Sequence, residues 1–79
     1  MRLDKFLKVS RIIKRRTVAN EVCDAKHVNV NGKPARASYD VKEGDVIGIT
    51  FGQKVTKYQV LNVTEYATKE SASSMYKEL

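Results

Sequence analysis

The feature that most constrains the fold is the pair Asn31-Gly32, which follows the alternating segment Val28-Asn29-Val30. Asn-Gly next to strand-forming residues is a strong signal for a two-residue type I′ hairpin, because both residues tolerate positive φ. The return segment Lys33-Pro34-Ala35 contains the only proline. Since proline has no backbone N–H to donate, this strand is expected at an edge of the sheet. An antiparallel sheet is therefore predicted to begin at Val28.

Two short helices are predicted before this hairpin. Leu3, Phe6 and Leu7 have the i, i+3, i+4 spacing of one buried helical stripe, and Ser10 is expected to end that helix. The second helix is expected over 17–26, with the Thr17 hydroxyl as its cap. The side chains expected to be buried in the turn and the second helix are Ile12, Ile13, Val18, Ala19, Val22, Cys23 and Ala25.

Further strands are predicted in the second half of the chain. One covers 46–51 and places Ile47, Ile49 and Phe51 on one face; the other covers 54–64, with a bulge near Val60 where its apolar face switches. In the tail, 68–79, three apolar side chains have near-helical spacing, and the sequence leaves open whether the tail is frayed or docked. The elements together predict an α+β fold.

The charge of the chain is concentrated in its first half. The 79 residues carry a net charge of +6. Residues 1–37 contain ten lysines and arginines against three acidic residues, a net +7, whereas residues 38–79 have a net −1. Such an asymmetry is typical of a domain that meets a polyanion with one end. The alternative is a solvated basic surface that only keeps the protein soluble.

The basic residues of the first half are predicted to share one exposed surface. Arginine presents a planar fork of donors that matches phosphate oxygens, and lysine acts as a point charge. The few aromatic residues favour recognition of folded RNA by shape and backbone over reading of single-stranded bases. Two interpretations of Asp4 stay open. Its carboxylate lies in the first turn of the first helix, where the helix dipole stabilises a negative charge, or it holds a neighbouring arginine in a fixed geometry. The candidate RNA-binding residues are Arg2, Asp4, Lys5, Lys8, Arg11, Lys14, Arg15 and Arg16.

The residues that enzymes and metal sites need are scarce. His27 is the only histidine, no glycine-rich phosphate loop opens a helix, and carboxylates are scattered. Cys23 is the only cysteine, which excludes an intramolecular disulfide and favours a small core residue. No apolar run approaches the roughly 20 residues that span a bilayer. We therefore expect a cytoplasmic, non-enzymatic protein without metal, cofactor or membrane partner.

Four motifs occur in one order: Arg2-Leu3-Asp4-Lys5, Lys14-Arg15-Arg16, Val28 to Gly32, and Gly44-Asp45-Val46-Ile47. This order resembles the RNA-binding domain named for ribosomal small-subunit protein four, over about residues 1–50. The resemblance implies two packed N-terminal helices on a small, strongly bent antiparallel sheet, with RNA bound by the helices and their connecting turn. It implies one RNA-binding domain over 1–79: a core motif at 1–50, remaining strands at 51–67 and a tail at 68–79. It does not extend the RNA surface to Lys54, Lys57, Lys69 or Lys77.

The chain as a whole resembles the stand-alone members of this family that act in ribosome-associated quality control in Gram-positive bacteria, relatives of the fifteen-kilodalton heat-shock protein. The resemblance implies binding to large-subunit ribosomal RNA and to the obstructing peptidyl-tRNA after a stalled ribosome has split. It also implies support for a NEMF-type factor that adds alanine residues to the nascent chain. The free protein is expected to be a monomer. The alternative is an accessory subunit that delivers RNA to a separate modifying enzyme.

Overall fold

The computed structural model describes all 79 residues and has an α+β fold, as predicted. Two helices precede a sheet of five strands in the order β2-β1-β3-β4-β5, and every neighbouring pair is antiparallel. The elements are α1 (Leu3–Val9), α2 (Arg16–Asp24), β1 (Val28–Val30), β2 (Lys33–Pro34), β3 (Val46–Phe51), β4 (Lys54–Val60), α3 (Lys69–Ala72) and β5 (Tyr76–Glu78).

The hairpin forms where the sequence predicts it. Asn31 has φ 54° and Gly32 has φ 83°, and β2 lies at the edge of the sheet. The Asn31 side chain also joins the turn to β3: its Oδ1 accepts from the Val46 amide at 3.0 Å, and its Nδ2 donates to the Asp45 carboxylate at 3.2 Å. A side chain thus continues the ladder between β1 and β3 past the last residue of β1.

The core lies between α1, α2 and the inner face of the sheet. The predicted stripe of α1 (Leu3, Phe6 and Leu7) is fully buried together with Ile47 and Ile49 of β3. These are the contacts that hold the helices on the sheet, since each fully buried aliphatic or aromatic side chain contributes roughly 1.5–3 kcal/mol. The turn between the helices is anchored by two further isoleucines, of which Ile13 is buried and Ile12 is partly buried.

The predictions for the second helix need correction. Its first residue is Arg16 and its cap residue is Arg15, which has no capping side-chain hydrogen bond, so Thr17 lies inside the helix. Only Ala19 and Cys23, spaced i, i+4, are fully buried there, while Val22 is partly buried, and Val18 (40% exposed) and Ala25 face solvent. Ala25 is exposed because the helix has already ended at Asp24, and Ala25 is its C-cap.

The second half of the chain differs from its predicted form in the length of β4 and in the exposure of Phe51, and of the two alternatives for the tail it has the docked one. Pairing of β3 with β4 is continuous from Lys54 to Gln59, and β4 ends at Val60, four residues before its predicted end. Directly after Val60 the amides of Leu61 and Asn62 both donate to the Met75 carbonyl, at 2.8 and 3.2 Å, which is the two-against-one pattern of the predicted bulge. Phe51, at the end of β3, is half exposed. The tail is docked: after the single turn of α3, β5 pairs with β4, and Met75 between them is fully buried. Tertiary pairing has overridden the near-helical spacing of the tail.

Cys23 should be unreactive in the folded protein. The residue is 1% exposed, and burial first, then the charges of Asp4 and Asp24, raise the pKa of its thiol to about 12. At pH 8 the thiol is therefore almost entirely protonated. We expect a disulfide reagent to modify the protein at pH 8 only in denaturant, which absorbance of the released thiolate would measure. Rapid, stoichiometric modification without denaturant would contradict the burial of this residue.

Candidate nucleic-acid interface

Asp4 is the hub of a hydrogen-bond network between the two N-terminal helices. Its side chain is almost completely buried, and its carboxylate accepts from the Lys5 amide at 2.8 Å, the Nε of Arg2 at 3.1 Å, the Nε of Arg16 at 3.4 Å and the Nδ2 of Asn20 at 3.3 Å. The structure therefore contains the contacts that the arginine interpretation requires, and Asp4 also lies in the first turn of α1, as the helix-dipole interpretation requires.

The ionisation of Asp4 follows from this network. Burial is the largest single influence and by itself raises the pKa of the carboxyl. The hydrogen bonds from Arg2, Asn20 and the Lys5 amide, with the charge of Arg16, outweigh it and hold the pKa below its ordinary value. The group is therefore a carboxylate at neutral pH, where it accepts hydrogen bonds from both guanidinium groups.

Arg2 and Arg16 form an arginine pair around this carboxylate. They are 14 positions apart in the sequence, yet each lies within 3.4 Å of Asp4 because α1 packs on α2. Each side chain remains 51% exposed. A guanidinium has five N–H donors, so donors not used by Asp4 remain on the surface. Asp4 itself is almost completely buried, and its carboxylate contacts the arginine pair from beneath the surface.

A second group of cations lies around the end of α1 and reaches the C-terminal tail. The four side chains that line a cleft of about 550 Å³ are all basic and exposed, and none of them has an ion-pair partner. We call this the basic cleft; it is lined by Lys8, Arg11, Lys14 and Lys69. Lys69 is a residue that the sequence interpretation left out, since nothing in the sequence shows that the tail returns to α1.

The two remaining candidates are placed differently. Lys5 is one-third exposed and pairs with Glu65 at 3.7 Å, so its charge is directed to the segment after β4. Arg15 is exposed, directly precedes α2 and has no ion pair. The eight predicted residues therefore comprise a positioned arginine pair with its carboxylate, three members of the basic cleft, one paired lysine and one free arginine.

His27 is exposed, and no group of three histidine, cysteine or acidic side chains lies close enough together to hold a metal ion. None of the helices has the length and apolar character needed to cross a bilayer.

Comparison with known proteins places this geometry in a family. The S4 domain model matches residues 1–47. Over 76 residues the chain is 57% identical to the RQC P-site tRNA stabilizing factor of Halalkalibacterium halodurans, covering 96% of this chain and 86% of the relative. It is 54% identical to the protein of that name in Bacillus subtilis, covering 96% and 88%. These names describe a stabilizing role and not a reaction.

Solved structures share the fold. The trimeric structure of heat shock protein 15 from Vibrio cholerae superposes with a TM-score of 0.90 at 26% identity, covering all of this chain and 81% of the other. The solution structure of the protein HP1423 gives 0.84 at 30% identity, covering all of this chain and 96% of the other. The chain therefore belongs to the S4 domain family, in the group of small proteins that includes the RQC P-site tRNA stabilizing factors.

Proposed function

We propose that this protein is a non-enzymatic, monomeric RNA-binding factor that acts in the cytoplasm on the large ribosomal subunit after a stalled ribosome has split. There it binds large-subunit ribosomal RNA and the obstructing peptidyl-tRNA, stabilizes that tRNA in the P site, and supports a NEMF-type factor in alanine tailing. The names of the relatives support the tRNA-stabilizing part of this role.

The observation that carries the proposal is the arginine pair held by a buried carboxylate. Arg2 and Arg16 are fixed at the junction of the two helices before any ligand arrives. Ordering a long side chain on binding costs about 0.5–1.5 kcal/mol, and a preordered side chain avoids much of that cost. Bidentate contact between a planar guanidinium and a phosphate then adds direction to the attraction of the surrounding positive charges.

The proposed mechanism is electrostatic and positional. The unpaired cations supply attraction to phosphates that does not depend on base sequence, and the arginine pair sets the orientation of the domain on RNA. Held between ribosomal RNA and tRNA, such a rigid domain restricts the movement of the tRNA. No step in this mechanism needs a nucleophile, a general base or a metal ion.

Arg16→Ala should weaken binding to the large subunit and reduce alanine tailing without unfolding the protein. The side chain is half exposed, and truncation removes one phosphate-binding fork. On a short structured RNA, the slope of log affinity against log salt should become shallower by about 0.7–0.9. Co-sedimentation with large subunits, a tailing assay and a salt titration measure these effects.

Lys54→Ala is the matched control, since it removes one exposed positive charge at the far end of β4. It should change the salt slope and subunit binding far less than Arg16→Ala. Equal losses in the two variants would show that only net charge matters and would contradict a positioned arginine pair.

Affinity purification separates this role from that of an RNA-delivering accessory subunit. The proposal predicts recovery of large subunits that carry peptidyl-tRNA, with small subunits depleted. Recovery of free RNA in a nuclease-resistant complex with an RNA-modifying enzyme would contradict it.

A further inference from the structure

We propose that Tyr66 and the basic cleft together form a site for one unpaired nucleotide of RNA. In this site the tyrosine ring stacks on the base, and the cations of the cleft bind the adjacent phosphate. The proposal rests on the RNA-binding function proposed above and adds a second contact region, contributed by the segment between β4 and α3.

Tyr66 is the most exposed large apolar side chain of the molecule, at 88%. A single exposed aromatic residue is ordinary on a protein surface; its surroundings distinguish this one. A cleft of about 420 Å³ is lined by Tyr66, Lys8, Arg11 and residues of the neighbouring loop. Lys8 and Arg11 also line the basic cleft. Tyr66 therefore lines a cleft that adjoins the basic cleft through two shared cations, and the volume of each cleft falls in the roughly 300–1,000 Å³ range of ligand sites.

The charge of this depression favours an anionic ligand. The basic cleft is lined by four cations and no carboxylate, and none of the four is in an ion pair. The one carboxylate in the adjoining cleft, Glu65, is paired with Lys5 at 3.7 Å. Part of its negative charge is thereby offset, and the four cations of the basic cleft remain free to attract a phosphate.

The segment that carries Tyr66 is held in place before binding. The Lys5–Glu65 pair ties it to α1, and the Thr64 hydroxyl donates to the Tyr66 carbonyl at 3.1 Å. On its other side, Thr68 and Ser71 cap α3 reciprocally, with N–O distances of 2.8 and 3.1 Å. Because the backbone of this segment is already held, stacking on the ring has only the Tyr66 side chain to order, which strengthens binding for a given contact.

The backbone conformation of Arg11 also supports this site. Arg11 has φ 65° and follows the C-cap of α1, with its amide donating to the Lys8 carbonyl at 3.1 Å. Glycine is usual at this position because a side chain there is sterically disfavoured. Arg11 lines both clefts, and a positive charge between the two clefts is a reason for an arginine at a position that glycine usually occupies.

An aromatic ring beside free cations has the chemistry of single-stranded nucleic-acid sites. Bases stack on tyrosine irrespective of sequence, and lysine and arginine bind the backbone. The basic cleft shares three cations with α1 and the turn after it, so an RNA on that surface can continue into the cleft. One ring accommodates one base, which is consistent with a protein that otherwise recognises folded RNA by shape.

The test compares two RNAs: a blunt hairpin, and the same hairpin with a single-stranded overhang containing 2-aminopurine. Affinity is measured by fluorescence anisotropy at fixed salt, and stacking by quenching of 2-aminopurine. Tyr66→Leu should weaken binding of the overhang RNA at least about fivefold and remove the quenching, with no change for the blunt hairpin. Tyr66→Phe should restore both signals, because the ring and not the hydroxyl stacks.

Lys69→Gln and Lys77→Gln form a matched pair in the tail, since both residues are exposed but only Lys69 lines the basic cleft. Lys69→Gln should weaken overhang binding more than Lys77→Gln does. The site would be overturned if the Tyr66→Leu variant bound both RNAs like the wild type. It would also be overturned if the variant lost affinity for both RNAs equally. An acidic peptide with the same Tyr66-dependent affinity as the overhang RNA would overturn it in favour of a protein ligand.

The proposed function is read out separately by co-sedimentation of the wild type with large subunits. If the wild type co-sediments and Tyr66→Leu has no selective effect on the overhang RNA, only the nucleotide site fails. If the wild type binds neither large subunits nor the blunt hairpin, the proposed function fails. Because Tyr66 is almost fully exposed, its variants should fold normally, which urea denaturation checks.

Discussion

Asp4→Asn is expected to weaken RNA binding about tenfold although it makes the protein more positive. An asparagine has one acceptor oxygen, and its NH₂ group would face the donors of Arg2, Arg16 and Asn20. Both arginines would then be free to rotate, and reordering two such side chains on RNA costs about 0.5–1.5 kcal/mol each. Anisotropy with a structured RNA at fixed salt measures the loss.

Glu21→Gln is the control, because it removes the same charge from an exposed position on α2. It should leave affinity unchanged or strengthen it slightly through the added net positive charge. If Asp4→Asn also strengthened binding, Asp4 would act only as a negative charge near the surface, and its role in positioning the arginine pair would be wrong.

The same substitution should lower the free energy of unfolding by about 1–3 kcal/mol at neutral pH, since it removes hydrogen bonds to a buried charged group. The pKa of Asp4 is lowered in the folded state, so its contribution is fully present well above the unfolded value of about 3.9 and is lost as the pH falls through the folded pKa. Urea denaturation should therefore show a constant gap between wild type and variant from roughly pH 5 to 8. The gap should shrink below about pH 3.9, and a gap independent of pH down to acid unfolding would contradict this assignment.

Met75→Ala is expected to lower the free energy of unfolding by about 2–5 kcal/mol. The Met75 side chain is fully buried in the core, although it lies four residues from the end of the chain. A domain of this size is stable by only about 4–12 kcal/mol, so the variant should melt at least about 8 °C lower, by roughly 4–8 °C per kcal/mol. Thermal denaturation followed by circular dichroism measures the shift.

Leu79→Ala provides the comparison within the same tail. Leu79 is 61% exposed, and its truncation should change stability by less than about 0.5 kcal/mol. Equal effects of the two substitutions would mean that the tail does not pack against β4 and the core. The predicted difference therefore tests the docking of β5 directly.

The elements predicted correctly from the sequence are those determined by neighbouring residues. The i, i+3, i+4 stripe of α1 and the Asn31-Gly32 turn need only local spacing and local φ preferences, and both occur as predicted. The incorrect predictions concern the ends of elements and the burial of their side chains, both of which depend on packing against other elements. Val18 and Ala25 have the pattern of a buried face, but α2 is too short and too narrowly covered to bury them.

The candidate site also has some features that follow from local sequence and others that follow from the packing of distant elements. The sequence by itself determined that the first half of the chain is basic and that Arg2, Arg11 and Arg16 contribute to this charge, because charge and motif are properties of the residues themselves. Only the tertiary structure decided that Asp4 bonds Arg16 and Asn20, which lie 12 and 16 positions further along the chain. It also decided that the tail brings Lys69 to α1. These contacts depend on how helices and strands pack against each other, and packing over such separations is not encoded in any local stretch of residues.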